Sequence, residues 1–180
     1  MKKSIVIAAA LLLASPGLSP VMAQSMGEKT GVNSVLGVSP STQDFVTQAA
    51  ISDMFEIESS RMAVEKASDA ETKAFANQMI TAHTKTSSEL KGLISSQKVS
   101  ATVPAQMDDS HRSMLDKLRS LDPAAFTKQY RSDQEKAHEN AVSLFKRYAD
   151  GGENAALKDW AGKTLPELQH HLDMAKKLAD

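Results

Sequence analysis

The 180-residue chain contains no cysteine. This absence excludes disulfide bonds, thiolate metal ligands and the attachment of a lipid through a cysteine at an export signal. Aromatic residues make up only 4% of the chain, with one tryptophan and two tyrosines, too few for the aromatic platform on which single-stranded nucleic acids stack. Any metal site in this chain must therefore use nitrogen or oxygen ligands, or the thioether of methionine.

The chain also lacks an excess of positive charge. It carries 21 Lys and Arg against 22 Asp and Glu. Loss of an N-terminal signal with two lysines would leave 19 against 22, a net charge of about −3, which argues against nucleic acid or anionic lipid as an obligate partner. A membrane span needs roughly 20 consecutive apolar residues, so we expect no transmembrane segment in the mature chain. Partners within the cell envelope stay open.

The N-terminus is typical of an export signal. Lys2 and Lys3 precede the apolar stretch Ile5–Ala14, and Val21-Met22-Ala23 supplies the small residues of a cleavage site. Residues 1–23 are therefore predicted to be a signal peptide that is cleaved after Ala23. The mature protein is expected to be periplasmic or otherwise exported, and association with the outer membrane stays open.

The mature chain divides into a leader and one helical domain. Residues 24–38 contain three glycines and little apolar periodicity, which predicts a flexible leader. Residues 39–180 show apolar positions at helical spacing and no segment with the alternation of a β-strand. Four long helices are predicted, over about 41–66, 68–97, 122–149 and 154–178.

The order of these helices predicts their arrangement. The first two are joined so closely that they must be antiparallel neighbours. The long connection Lys98–Asp122, with a short helix predicted over Asp108–Leu118, separates the second long helix from the third. Pro166 lies inside the fourth helix and predicts a kink there. The fold class is therefore all-α, a ferritin-like four-helix bundle with one long crossover between helices 2 and 3.

Four polar residues fall near the middle of the four predicted helices: Glu56, His83, His138 and His171. The midpoint of a helix stays at mid-height of a bundle whichever way the helix runs, so we expect these side chains at one depth. The histidines lie on inward rows, and Glu56 lies on a row of small residues. Three imidazoles and a carboxylate suit zinc, iron, copper or manganese. The alternative is a hydrogen-bonded polar layer that only specifies helix register.

A di-iron centre is a third interpretation. It requires Glu-x-x-His on two helices and a glutamate on each of the others. The chain contains two such motifs, and the alternate ligands are Glu58, Glu135, Glu167 and His170. However, the second helix carries Ile80 three residues before its histidine, and the inward row of the fourth helix selects His171. These departures argue against oxidase chemistry.

The chain resembles the DUF 4142 family over about residues 40–178. The most specific segments are Met79-Ile-x-x-His83 and Leu165-Pro-x-x-x-x-His171-Leu. The resemblance implies an exported bacterial protein with a ferritin-like bundle, often labelled an outer-membrane protein, and it implies no established activity. The recurring polar positions of the family fall here on Glu56, His83, His138 and His171. Ala82 departs from the family pattern, since relatives commonly carry aspartate there.

These observations favour a binding module over an enzyme. No Gly-x-Ser-x-Gly or comparable nucleophile motif is present. The first expectation is an exported helical bundle with a mid-bundle site for a divalent transition metal. The second is a structural or interaction protein of the cell envelope without a metal, and the third is a di-iron oxidase-like enzyme.

Overall fold

The computed structural model describes residues 25–29, 31–96 and 98–179. The predicted signal peptide lies outside these residues. Helices account for all the regular secondary structure in the described ranges. They are α1 (Met26–Lys29), α2 (Val32–Val35), α3 (Thr42–Lys66), α4 (Ala70–Ser95), α5 (Asp109–Ser120), α6 (Pro123–Gly151) and α7 (Ala155–Ala179).

Four long helices, α3, α4, α6 and α7, form the bundle. Short turns join α3 to α4 and α6 to α7, and both pairs pack closely together. The connection from α4 to α6 carries α5, which packs against α3 and α6. The predicted ferritin-like four-helix bundle with a long crossover is thereby confirmed. No helix in the described ranges is long and apolar enough to cross a membrane.

Capping residues set the starts of the long helices. The Ser41 side chain accepts from the main-chain N–H of Asp44, and Asp122 accepts from two N–H groups in the first turn of α6. The second long helix, predicted to begin at about residue 68, begins at Ala70 with Asp69 as its N-cap. Asp69, not Ser68, accepts from the main-chain N–H of Thr72 at 2.7 Å. The carboxylate also accepts from the Thr72 hydroxyl at 3.0 Å.

The end of α6 also differs from the prediction. The helix was expected to end at about Ala149, but it continues to Gly151, and its C-cap is Gly152 with φ −63°. A Cβ atom at Gly152 would lie 2.5 Å from the ring of Tyr148. This glycine is therefore required by the close approach of a buried ring, and not by a left-handed backbone.

The bundle core consists of two apolar clusters with a polar layer between them. One cluster is centred on Phe45, Phe145, Tyr148 and Trp160. The other is centred on Phe75, Met79, Phe126 and Tyr130. The buried polar residues of the layer include Asp53, Glu56, Ser59, His83, Gln134, His138 and His171. All four long helices contribute to this layer, which places it at mid-height.

The leader is anchored to the bundle at several points. The main-chain N–H of Ser25 donates to Asp44 Oδ1 at 3.0 Å, and Arg147 donates to the main-chain oxygen of Val38 at 2.7 Å. Within residues 25–38 the structure shows two single-turn helices, α1 and α2. The flexibility of the leader stays a prediction.

Candidate metal centre

Three histidine side chains meet in the polar layer. His83 comes from α4, His138 from α6 and His171 from α7, and each is only 1–2% exposed. One ring nitrogen of each lies within 4.8 Å of those of the other two. The ring centroids are 5.5–5.9 Å apart. The structure thus brings together the three histidines that the sequence singled out.

Hydrogen bonds fix which nitrogen of two rings can act as a ligand. His83 Nδ1 lies 2.8 Å from Asp53 Oδ1, and His138 Nδ1 lies 2.8 Å from the main-chain oxygen of Gln134. Both partners are acceptors, so Nδ1 carries the hydrogen in each ring. When these rings are neutral, the lone pair is therefore on Nε2.

One ring nitrogen of each clustered histidine has no hydrogen-bond partner in the described ranges. Within the described ranges, His83 Nε2, His138 Nε2 and His171 Nδ1 are buried and make no hydrogen bond. A buried polar atom without a partner costs about 1–3 kcal/mol, so such atoms are rare in folded proteins. Three of them in one cluster indicate that the site is shaped for something that accepts imidazole lone pairs.

The spacing of the cluster fits a transition metal. Nitrogens that share one metal at about 2.0–2.1 Å lie roughly 3.3–3.6 Å from each other. The observed separations of at most 4.8 Å are thus within about 1.5 Å of that requirement. Imidazole is a common ligand of zinc, copper and iron. Any of these metals, if bound here, would supply Lewis-acid chemistry, and copper or iron could also carry an electron.

Asp53 of α3 was not singled out by the sequence analysis. Its carboxylate accepts a hydrogen bond from His83, one from the Thr86 hydroxyl that is shared between both oxygens at 2.9 Å each, and one from Ser87 at 3.2 Å. A carboxylate behind a metal-binding histidine orients the ring and raises its basicity. The signal in the sequence was the position of Asp53 one turn before Glu56, which places both on the same side of the helix.

The Asp53 contact also resolves the departure at Ala82. The sequence has no acidic residue next to the histidine of α4, where the family commonly has one. The structure supplies the carboxylate from the neighbouring helix instead, 30 positions away in the chain. In this chain the acid–histidine pair is therefore formed by a tertiary contact.

Glu56 lies in the same layer but stands apart from the three nitrogens. It is 1% exposed, and its two oxygens have no hydrogen-bond partner within the described ranges. Its carboxylate is not among the ligand atoms that lie within 4.8 Å of one another. Burial raises the pKa of Glu56 to about 7, although the charge of His83 and the amide of Gln134 oppose the rise. Glu56 is therefore a carboxyl group poised to change charge beside the cluster.

The three imidazoles have unequal pKa values. Burial, together with the charge of His83, lowers the pKa of His138 to about 3 and that of His171 to about 4. Burial also acts to lower the pKa of His83, but its hydrogen bond to Asp53 and the charge of Glu56 outweigh this, and the net shift is upward. At neutral pH, His138 and His171 are thus uncharged and able to ligate.

The alternate ligands lie outside the cluster. Glu58 and His170 are exposed, and Glu135 and Glu167 are partly exposed. Glu58 pairs with Arg61 and Glu167 with Lys85. Within the described ranges, the only group of three or more such side chains at metal-sharing distance is the three histidines. The two Glu-x-x-His motifs do not converge, so the geometry gives no support to a di-iron centre.

This fold and site define a class of protein: a ferritin-like four-helix bundle with a buried three-histidine cluster between two apolar cores. The chain belongs to the family described as Domain of unknown function (DUF4142), whose profile matches residues 27–178. The resemblance noted in the sequence is thereby confirmed, and it covers the bundle and most of the leader.

The fold is shared with a protein of known structure. The chain is similar to CopM in the Cu(II)-bound form, with a TM-score of 0.66 and 20% sequence identity. The similarity covers 79% of this chain and 97% of CopM. At this identity the likeness establishes the fold alone. No curated protein sequence matches the chain at a significant level.

Proposed function

We propose that this protein is an exported bundle that binds one divalent transition metal through His83, His138 and His171. The observation that carries the proposal is the cluster of three buried histidines, each with one ring nitrogen within 4.8 Å of the others and each with one ring nitrogen that lacks a hydrogen-bond partner in the described ranges. A polar layer that served helix register alone would be expected to satisfy its own members by hydrogen bonds. Glu56 supplies a carboxylate next to the site, available as a further ligand or as a counter-charge.

Copper(II) is the metal we propose first, followed by zinc. Imidazole nitrogen suits copper, zinc and iron, and at one site Cu²⁺ binds more tightly than the other divalent metals of its row. The Cu(II)-bound form of CopM supports copper for a bundle of this shape. Manganese ranks last because it prefers carboxylate and water ligands.

Export is part of the same proposal. The charged and apolar segments before Ala23 support a cleaved signal, and we expect the mature chain to begin at Gln24 in the periplasm. Intact-mass measurement on protein from the native envelope fraction tests this. A chain that retains Met1 would contradict it.

Metal analysis and thermal melts test the metal site. Protein purified without a histidine tag and stripped with EDTA should bind one Cu²⁺ per chain, with nitrogen superhyperfine structure in its electron paramagnetic resonance spectrum. A metal that binds only the folded state should stabilise it by about 2.7 kcal/mol at a hundredfold excess over the dissociation constant. If neither copper nor zinc moves the melting curve, the site is a structural layer without a metal.

Variants separate the cluster from the protein's other histidines. His83→Ala and His171→Ala should abolish most of the metal-induced shift in melting temperature. His111→Ala is the matched control, because His111 lies on α5 and bonds to Asp108 outside the cluster. It should leave the shift intact, whatever it does to the melting temperature of the metal-free protein.

One observation favours association with the cell envelope as a second function. The large exposed hydrophobic residues of the described ranges are confined to the leader: Met26, Val32, Val35, Leu36 and Val38. Clustered exposed apolar side chains often mark an interaction site. Removal of residues 24–38 should shift the mature protein from the membrane fraction to the soluble periplasmic fraction. An unchanged distribution would assign these side chains no role in association.

A further inference from the structure

The neighbouring helices of the bundle do not pack equally. The pairs α3–α4 and α6–α7 are in extensive contact and α3 also packs on α6, whereas α4 and α7 contact each other least. His83 belongs to α4 and His171 to α7. The seam between α4 and α7, where two neighbouring helix backbones approach each other least often, therefore runs between two of the three clustered histidines.

Two potential ligands lie on α7 at this seam. Glu167 is one turn before His171, on the same side of the helix, and its side chain is 42% exposed. His170 is exposed, and its ring centroid lies 6.5 Å from that of His171. Two side chains that can bind a cation at the solvent surface thus lie within one turn of the buried His171.

A cation from the opposite helix pairs with Glu167. Lys85 of α4 reaches across the seam, and its Nζ lies 3.7 Å from Glu167 Oε2. Both side chains are largely solvated, and an ion pair of this kind contributes little to stability and opens readily. The turn that carries Glu167 also lacks one main-chain bond, because the preceding Pro166 has no N–H to donate to Gly162.

The geometry points to the α4–α7 seam as the path of the metal into the site, with Glu167 and His170 as a surface capture pair that passes the metal to His171. While Lys85 is paired with Glu167, this carboxylate cannot bind the metal; it becomes available when the ion pair opens. This inference rests on the proposed function, because it concerns how the same three-histidine site is filled. It assigns Glu167 and His170 a kinetic role, distinct from that of the buried ligands.

A cavity on another side of the site is less suitable as a path. A cavity of about 320 Å³ lies between α3, α4 and the crossover, and its polar wall includes Ser87. Ser87 leads to Asp53, whose two oxygens are already taken by His83, Thr86 and Ser87 itself. That route therefore offers an incoming cation no free ligand atom before the cluster.

Rates and affinity together test the path. A capture site on the path changes the barrier to binding and leaves the final complex unchanged, so it alters both rates and not the dissociation constant. Cu²⁺ association is followed by stopped-flow quenching of Trp160 fluorescence, dissociation by an EDTA chase, and affinity by competition with a chelator. The double variant Glu167→Gln/His170→Ala should slow both rates by about tenfold, within the range by which local charge alters association rates.

Two further variants complete the test. Lys85→Gln should accelerate both rates severalfold, because it removes the cation that neutralises Glu167 and repels the incoming ion. Glu139→Gln is the control, since Glu139 forms a comparable surface ion pair with Lys136 on α6, and it should leave both rates unchanged.

The outcomes distinguish this inference from the proposed function. If the wild-type protein binds no Cu²⁺, both are wrong. If it binds Cu²⁺ and the double variant shows wild-type rates, the path is wrong and the metal site stands. A double variant with weaker affinity and an unchanged association rate would make Glu167 and His170 ligands, which also overturns the path.

Discussion

The contact between Asp53 and His83 shows how one carboxylate can decide the chemistry of a buried imidazole. The hydrogen bond at 2.8 Å holds Nδ1 as the donor, which leaves Nε2 as the nitrogen that can act as a ligand. Thr86 and Ser87 in turn hold the carboxylate. The ligand geometry is therefore supported by a network of side chains that never touch the metal.

Asp53→Asn tests this support. We expect metal affinity to fall by about 10- to 100-fold, the usual effect of losing such a partner. The metal-free protein should also lose stability, by about 1–3 kcal/mol, because one donor of the network is left unpaired. Asp69→Asn is the control, because it alters a half-buried carboxylate that caps α4. The metal affinity of this variant should equal that of wild type. If the metal affinity of Asp53→Asn equals that of wild type, the carboxylate has no role in the site.

The pKa values predict how metal binding depends on pH. His138 and His171, with pKa values of about 3 and 4, are already neutral above pH 5. His83, whose pKa is raised, and Glu56, whose pKa is about 7, still hold protons near pH 6. A metal must displace the proton of His83, so affinity should keep rising with pH above the ordinary histidine value near 6.5 instead of levelling off there.

Calorimetry in buffers of different ionisation enthalpy measures this directly. Copper binding at pH 6 should release about one proton from His83, or two if Glu56 also ligates. Release should approach zero at pH 9. Proton release that is absent at pH 6 would show that His83 is neutral in the metal-free protein.

At the scale of the element, α7 is notable for the proline inside it. The helix runs from Ala155 to Ala179 through Pro166, which removes one main-chain hydrogen bond to Gly162. His171 follows little more than one turn later. The position of this ligand therefore depends on a turn of helix that is less constrained than its neighbours.

Pro166→Ala tests the role of the irregular turn. Restoring the hydrogen bond should leave the melting temperature unchanged or raise it, by up to roughly 3 kcal/mol in a strain-free helix. Metal affinity should change, because His171 moves relative to the other two ligands. Unchanged affinity together with unchanged stability would show that the proline has no role.

Gly162→Ala is the matched control for that experiment. A Cβ at this position would lie 3.8 Å from the Cβ of Ala149, an ordinary contact. The substitution should stabilise α7 by about 1 kcal/mol through helix propensity, with no change in metal affinity. The pair of variants thus separates the stability of the helix from its geometry.

At the scale of the whole molecule, the polar layer lowers the stability of the metal-free bundle. Glu56 is buried without a hydrogen-bond partner in the described ranges, and its pKa is raised from 4.5 to about 7. The folded state therefore holds the proton more tightly than the unfolded state. The contribution of this group to stability is fully present below pH 4.5 and is lost as the pH rises through 7.

Glu56→Gln should reverse that loss. The metal-free variant should be more stable than wild type at pH 8 by on the order of 2 kcal/mol, with little gain at pH 4.5. Urea unfolding at the two pH values measures the difference. Glu58→Gln is the control, because Glu58 is exposed and lies about half a helical turn from Glu56. This variant should have no effect at either pH. A variant less stable than wild type at pH 8 would mean that the carboxylate is stabilised where it lies.

The sequence by itself determined the helical class, the four long helices, the crossover and the inward direction of the three histidines. These features follow from local patterns: apolar spacing sets the buried face of each helix, and caps such as Asp122 set its start. The common depth of His83, His138 and His171 also followed, because each lies near the middle of a helix of similar length. Chain order then left few ways to arrange the bundle.

Only the tertiary structure decided the details of the site. The pairing of Asp53 with His83 joins residues 30 positions apart, and no local pattern encodes which of two acidic residues on one side of a helix meets which partner. Rotation of α3 within the bundle places Asp53 against His83 and leaves Glu56 outside the three-nitrogen cluster. The small number of close backbone approaches between α4 and α7 is likewise a product of packing. The distance between two helices depends on every side chain between them and on no single segment of sequence.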